Sequence, residues 1–127
     1  MKFQPDVLAG TNVLSRHEPG RVWVGAVEFR HSIVVPWRGD PVAWPPHSFD
    51  ALEPAHFDAL ALPGTAVVIF GSGARLRFPP PALWRGLIAR GIGVEAMDTA
   101  AACRTFNVLA GEGRNVVAAL LVEAGGP

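Results

Sequence analysis

Residues Gly91 to Leu120 read GIGVEAMDTAAACRTFNVLAGEGRNVVAAL, and the succession of residue types in this stretch decides the fold. Ile92 to Glu95 has the character of a short strand. Asp98 or Thr99 follows, and either supplies a side-chain oxygen for the free N–H groups of a helix's first turn. The helix so opened is expected to run to about Ala110, where Gly111 and Gly113 end it. Asn115 to Val122 is then an apolar run of strand length. Strand, helix, strand is the βαβ unit, whose crossover makes the two strands parallel.

Upstream the alternation continues. Ala82 to Arg90 sets Leu83, Trp84, Leu87 and Ile88 at helical spacing, with Gly91 in the C-cap position. Thr65 to Phe70 is a continuous apolar run, the pattern of a central strand covered on both faces, and it ends at Gly71-Ser72-Gly73. Further back, Glu53-Pro54 opens a short helix to about Leu60, since proline is tolerated in a first turn where its missing N–H is not needed. Before the proline-rich patch Pro41 to Pro46, the Val-rich runs Arg21 to Phe29 and Ser32 to Pro36 are separated by Arg30 and His31 and read as a β-hairpin. The expected fold is α/β: one domain over residues 1–127, a mixed central sheet, two main helices in βαβαβ order and an N-terminal β-hairpin.

The totals fit that size. A chain of 127 residues buries roughly two thirds of its unfolded surface, enough for one core. Eleven basic and 11 acidic residues cancel, so no molecule-wide field draws in nucleic acid or an anionic membrane. The longest apolar runs, such as Val116 to Val122, are too short to span a bilayer, and Met1 to Asp6 lacks the apolar core of a leader. One cysteine, Cys103, excludes an intrachain disulfide and a cysteine-based zinc site within one chain. These features lead us to expect a soluble, cytoplasmic protein.

Met97-Asp98-Thr99, Ala101 to Thr105, Asn107, Leu109, Glu112 and Arg114 resemble, in order and spacing, the signature of the mitochondrial NADH dehydrogenase (complex I) assembly factor 3 family, which includes bacterial relatives of unknown function. Gly71-Ser72-Gly73 resembles that family's glycine turn. Phe106 stands where the family more often has tyrosine, and Ser72 where it more often has threonine. The resemblance implies a three-layer α/β fold and, for mitochondrial members, help in building complex I. It implies no cofactor and no catalytic residue.

The residues themselves offer several chemical readings. A wheel of 100° per residue groups Ala102, Cys103, Phe106, Leu109 and Ala110 on one helix face, so Cys103 is expected in the core rather than acting as a nucleophile. The opposite face, with Ala100, Ala101, Arg104 and Val108, allows close approach of another element or another protein. Glu95 and Asp98 could divide acid and base work, but Asp98 has the position of an N-cap. Gly71-Ser72-Gly73 with Glu95 roughly 20 residues on imitates a dinucleotide site, yet the third glycine and the following helix start are missing. Arg75, Arg77, Arg85 and Arg90 occupy Gly71 to Gly93 without an acidic residue and form a candidate basic patch. His17, His31, His47 and His56 lack zinc spacing, so no metal is expected. Trp37 and Trp44 could anchor a partner or seal the domain's edge.

These readings converge on a non-enzymatic assembly or interaction protein with a protein partner, without nucleic acid or membrane insertion, and with homo-oligomerisation left open. Its expected ligand or partner surface comprises Gly71, Ser72, Gly73, Arg75, Arg77, Glu95, Asp98 and Arg104. The alternative is a small-molecule or anion-binding protein, or a small enzyme, with a pocket near Gly71 to Gly73 and Glu95, Asp98 and Arg104 as polar groups. No cofactor is expected.

Overall fold

In chain order the elements are β1 (Leu14–Glu18), β2 (Arg21–Val24), β3 (Val27–Phe29), β4 (Ile33–Val35), β5 (Val42–Ala43), α1 (Pro54–Asp58), β6 (Val67–Gly71), α2 (Arg85–Ala89), β7 (Gly93–Met97), α3 (Thr99–Gly111) and β8 (Val116–Leu120). They come from a computed structural model that describes residues 10–123; the reading of Met1 to Asp6 lies outside those residues. Two short 3₁₀ turns, Phe49–Ala51 and Pro81–Trp84, precede α1 and α2.

Period-two alternation in the apolar strands builds the centre. Val67, Ile69, Val116, Ala118 and Leu120 point into one core together with Ile33 and Val35. Their neighbours Val68, Phe70, Val117 and Ala119 point into the other with Val34. The sheet they form has the order β5-β4-β8-β6-β7. Strand β6 is parallel to both β7 and β8, whereas β4 is antiparallel to β8, which is the mixed sheet the sequence leads one to expect.

One face is covered by α3 and the inner side of a second, antiparallel sheet, β1-β2-β3, through Leu14, Val22, Val24, Ala102, Cys103, Phe106 and Ala110. The other is covered by α1, α2 and the loops around them, through Trp44, Phe57, Leu60 and Leu87. Phe57 and Phe70 meet edge to face with centroids 5.5 Å apart, an arrangement that aromatic quadrupoles favour. This gives the three-layer α/β fold.

Two local expectations need correction. Arg21 to Phe29 does not pair with Ser32 to Pro36. Gly25, at φ 58°, takes the first central position of a two-residue turn that demands positive φ, so the run folds back on itself with Val24 opposite Val27. β4 leaves to pair with β8 and β5 instead. The expected helix Ala82 to Arg90 is also divided: Trp84, at φ −113° and ψ 18°, departs from helical geometry between the 3₁₀ turn and α2. Its ring packs edge-on against Phe57, and Ile88, expected inward, is exposed.

Candidate functional site

Because β6, β7 and β8 run parallel, their carboxyl ends share one edge, the edge at which open α/β sheets place ligands. Gly71, Ser72, Gly73, Arg75, Arg77 and Asp98 gather there. Gly71 is tightly packed between helix and strand: a Cβ on it would lie 2.7 Å from Leu120 Cδ2 on β8 and 3.2 Å from Ala102 Cβ on α3. Gly73, at φ 101°, turns the chain through a conformation that side chains disfavour.

The turn's polar groups are occupied internally. Ser72 N donates to Met97 O at 2.8 Å, and Gly73 N donates to Thr99 Oγ1 at 3.0 Å. Thr99 N returns a bond to Gly73 O at 2.9 Å. Ser72 is 0% exposed; its hydroxyl donates to Arg75 O at 2.7 Å and accepts from Arg77 N at 3.0 Å. Asp98 caps α3, accepting from Ala101 N at 2.8 Å, the role its position suggests. A pyrophosphate therefore finds neither the Ser72 amide nor the Gly73 amide open.

Arg77 turns inward. Its guanidinium donates to Ser72 O and to Glu123 Oε1 at 2.8 Å, and it lies over the Phe49 ring with Cζ 4.8 Å from the centroid. The other oxygen of Glu123 accepts from Phe49 N at 2.9 Å. Burial pushes the Glu123 carboxyl up, but the Arg77 and Phe49 hydrogen bonds and the charges of Arg77 and Arg75 outweigh it, holding the group below its ordinary value of 4.5. Three segments distant in sequence, around Phe49, Ser72 to Arg77 and Glu123, are thus tied at one point.

The remaining candidates do not join this cluster. Glu95 is exposed midway along β7, an edge strand, and Arg104 is exposed on the second turn of α3. The basic stretch is divided as well. Arg75 follows the carboxyl end of β6 and Arg90 precedes the amino end of β7; with the two strands parallel, those are opposite edges of the sheet.

Beside Gly73 lies a half-open cleft of about 460 Å³ between the β1–β2 turn and the start of α3. Val22, Leu121 and Val122 contribute its apolar lining, and Glu18, Arg21 and Glu123 stand among its polar groups. Those charges are paired: Glu18 with Arg16 and Arg21, Glu123 with Arg77.

Cys103 is 3% exposed against the sheet. Burial pushes its thiol up to about 11, with the Arg104 charge opposing, so it holds almost no thiolate at neutral pH. One flank of α3 is packed by β1, where the Asn107 side chain donates to Leu14 O at 2.9 Å and accepts from Leu14 N at 2.8 Å, while Arg104 and Val108 on its outer face are exposed. Trp44 is buried and bonds His56 O at 3.0 Å, and Trp37 bonds Ala110 O at 3.2 Å, so both indoles seal the fold. Among the described residues no group of His, Cys, Asp and Glu could hold a metal ion. Sequence reasoning missed Glu123 and Phe49: neither belongs to a motif, and only tertiary structure brings them to Arg77.

A family model described as a protein of unknown function, DUF498/DUF598, matches residues 14–121. The chain is 44% identical over 64 residues to NADH dehydrogenase [ubiquinone] 1 alpha subcomplex assembly factor 3 of Bos taurus, a match covering 50% of this chain and 35% of the bovine protein. An uncharacterised protein of Rhodobacter capsulatus is 36% identical over 107 residues, covering 84% of this chain and 76% of that one. The crystal structure of a Bordetella parapertussis protein superposes with a TM-score of 0.85 at 36% identity, covering 91% of this chain and 98% of that one.

Proposed function

This chain belongs to the DUF498/DUF598 family of proteins of unknown function, and from that premise we propose that it is a non-enzymatic assembly or interaction factor acting through the carboxyl edge of its central sheet. The observation that carries the reading is the occupancy of the groups a catalyst would need there. The Ser72 and Gly73 amides, the Asp98 carboxylate and the Arg77 guanidinium each have an intramolecular partner, while Leu76 and Phe78 beside them remain exposed. An edge that spends its polar groups on itself and leaves apolar side chains in water suits contact with another protein. The bovine relative is named as an assembly factor of NADH dehydrogenase, and this chain would serve a similar role on a protein partner, in the cytoplasm. No helix among the described residues is long and apolar enough to cross a membrane.

The test is purification of the tagged protein at native abundance after brief in-cell cross-linking. A reproducible partner in stoichiometric amount is expected, and its absence across growth conditions overturns the reading. The cleft beside Gly73 favours a second reading, a small-molecule site. A thermal-shift screen against nucleotides, phosphates and small acids separates the two, since a ligand at 100 times its dissociation constant stabilises by about 2.7 kcal/mol. A flat screen sinks the second reading.

A further inference from the structure

We propose that Phe78 is the anchor through which this protein engages its partner, entering an apolar pocket whose rim carries acidic side chains. The inference rests on the interaction reading above and names the residue and the partner chemistry that reading leaves open. At 69% exposure, Phe78 is the most exposed large hydrophobic among the described residues. Single exposed apolar residues are ordinary on protein surfaces, so the case depends on how this one is held.

The backbone on either side of Phe78 is fixed. Immediately before it, Arg77 is clamped at its main chain by Ser72 Oγ and at its guanidinium by Ser72 O and Glu123. Immediately after it, Pro79, Pro80 and Pro81 have restricted φ, and Pro79 is buried. Exposure alternates along the segment: Leu76 out, Arg77 in, Phe78 out, Pro79 in. Leu76, 49% exposed, adds a second apolar side chain two residues before Phe78. A loop fixed in this way loses little conformational freedom when its tip is buried, and aromatic anchors presented without that cost are the residues that dominate interfaces.

Charge supplies the partner's chemistry. From Gly71 to Val94 there is no acidic residue. Arg77 is neutralised by Glu123, which leaves Arg75, exposed and outside every ion pair among the described residues, as the unbalanced charge next to the anchor. A pocket carrying Asp or Glu on its rim complements that charge; a basic rim would be repelled.

Photoreactive benzoylphenylalanine placed at position 78, and separately at Val27, Ile88 and Val108 on other surfaces, tests this in the full chain inside cells. A single protein cross-linked from position 78 and not from Val108 is expected, and it is then purified. Phe78→Ala should weaken its binding about 30-fold or more, Phe78→Leu less, with the thermal midpoint of the free protein unchanged. Arg75→Gln should also weaken binding and flatten its salt dependence. Cross-links from Val27, Ile88 or Val108 alone, unchanged affinity in Phe78→Ala, or a cross-link only to a second copy of this chain would each overturn the Phe78 anchor while leaving an interaction role standing. Cross-links from none of the four positions would overturn the anchor, and absence of any partner in the native purification would remove the interaction role as well.

Discussion

The missing side chain of Gly71 lets α3 lie against the sheet: a Cβ there would come within 3.2 Å of Ala102 Cβ on α3 and 2.7 Å of Leu120 Cδ2 on the neighbouring strand β8. Gly71→Ala should destabilise by about 1–3 kcal/mol through overpacking, less any gain from a stiffer unfolded chain, as read from the urea midpoint. Gly91, at φ 75° with nothing within 4 Å of its Cβ position, is the contrast: alanine there strains the backbone without a clash. Glu123 gives a prediction in pH. Its folded pKa is depressed below 4.5, so the unfolded state takes up the proton first, and the stability the Arg77 pair contributes is present above about pH 4.5 and lost as pH falls through the lower folded value. Both side chains are partly solvated, at 23% and 34% exposure, so the loss is modest. Glu123→Gln should flatten stability against pH below 4.5 relative to the parent, and identical acid limbs in the two proteins would show that the pair contributes nothing.

At the level of elements, α3 was legible because its signals are local: a capping aspartate, a face of Ala102, Cys103, Phe106 and Ala110, and two glycines at its end, Gly111 as its last residue and Gly113 just beyond. Asp98→Ala should remove the hydrogen bond to Ala101 N at a cost of about 1 kcal/mol, with Asp98→Asn keeping most of it; thermal unfolding monitored by far-UV circular dichroism reads both. The strands β6 and β8 were legible for a similar reason, since a run apolar at every position has to be covered twice. The N-terminal pairing was not. Arg21 to Phe29 is continuous in β-forming residues, and the fold-back at Gly25 depends on a positive φ that the residue permits but does not announce. Nor does Ile33 to Val35 declare that its partner is Leu120 to Ala118, a pairing across most of the chain. β5, two residues between Pro41 and Pro45, is readable only in retrospect as an edge strand, the position where proline is tolerated.

For the molecule as a whole, the same division between local and long-range information explains how the site was read. Gly71, Ser72, Gly73, Asp98, Arg75 and Arg77 were placed at one edge by βαβ topology, a rule that operates on sequence order. Glu95, joined to them by its dinucleotide-like spacing from the glycine turn, and Arg104, from the second face of α3, lie elsewhere, because side-chain direction along β7 and α3 is set by packing. The topology also implies an order of opening. β8 is flanked by β4 and β6 and packed on both faces, so its amides are freed only when both layers separate. The β1-β2-β3 sheet buries one face alone, through Leu14, Val22 and Val24, and the Asn107 amide adds two hydrogen bonds at Leu14. Native-state hydrogen exchange should therefore place Val116 to Leu120 at the global unfolding free energy and residues 14 to 29 in a unit that opens at lower cost. Asn107→Ala should lower protection in that unit by about 1–3 kcal/mol, the cost of leaving buried backbone groups unpaired, while moving β8 less. Equal loss in both regions would mean that the small sheet opens only with the rest, and that the layer covering α3 is part of a single cooperative unit rather than a cover that can lift from the cleft beside Gly73.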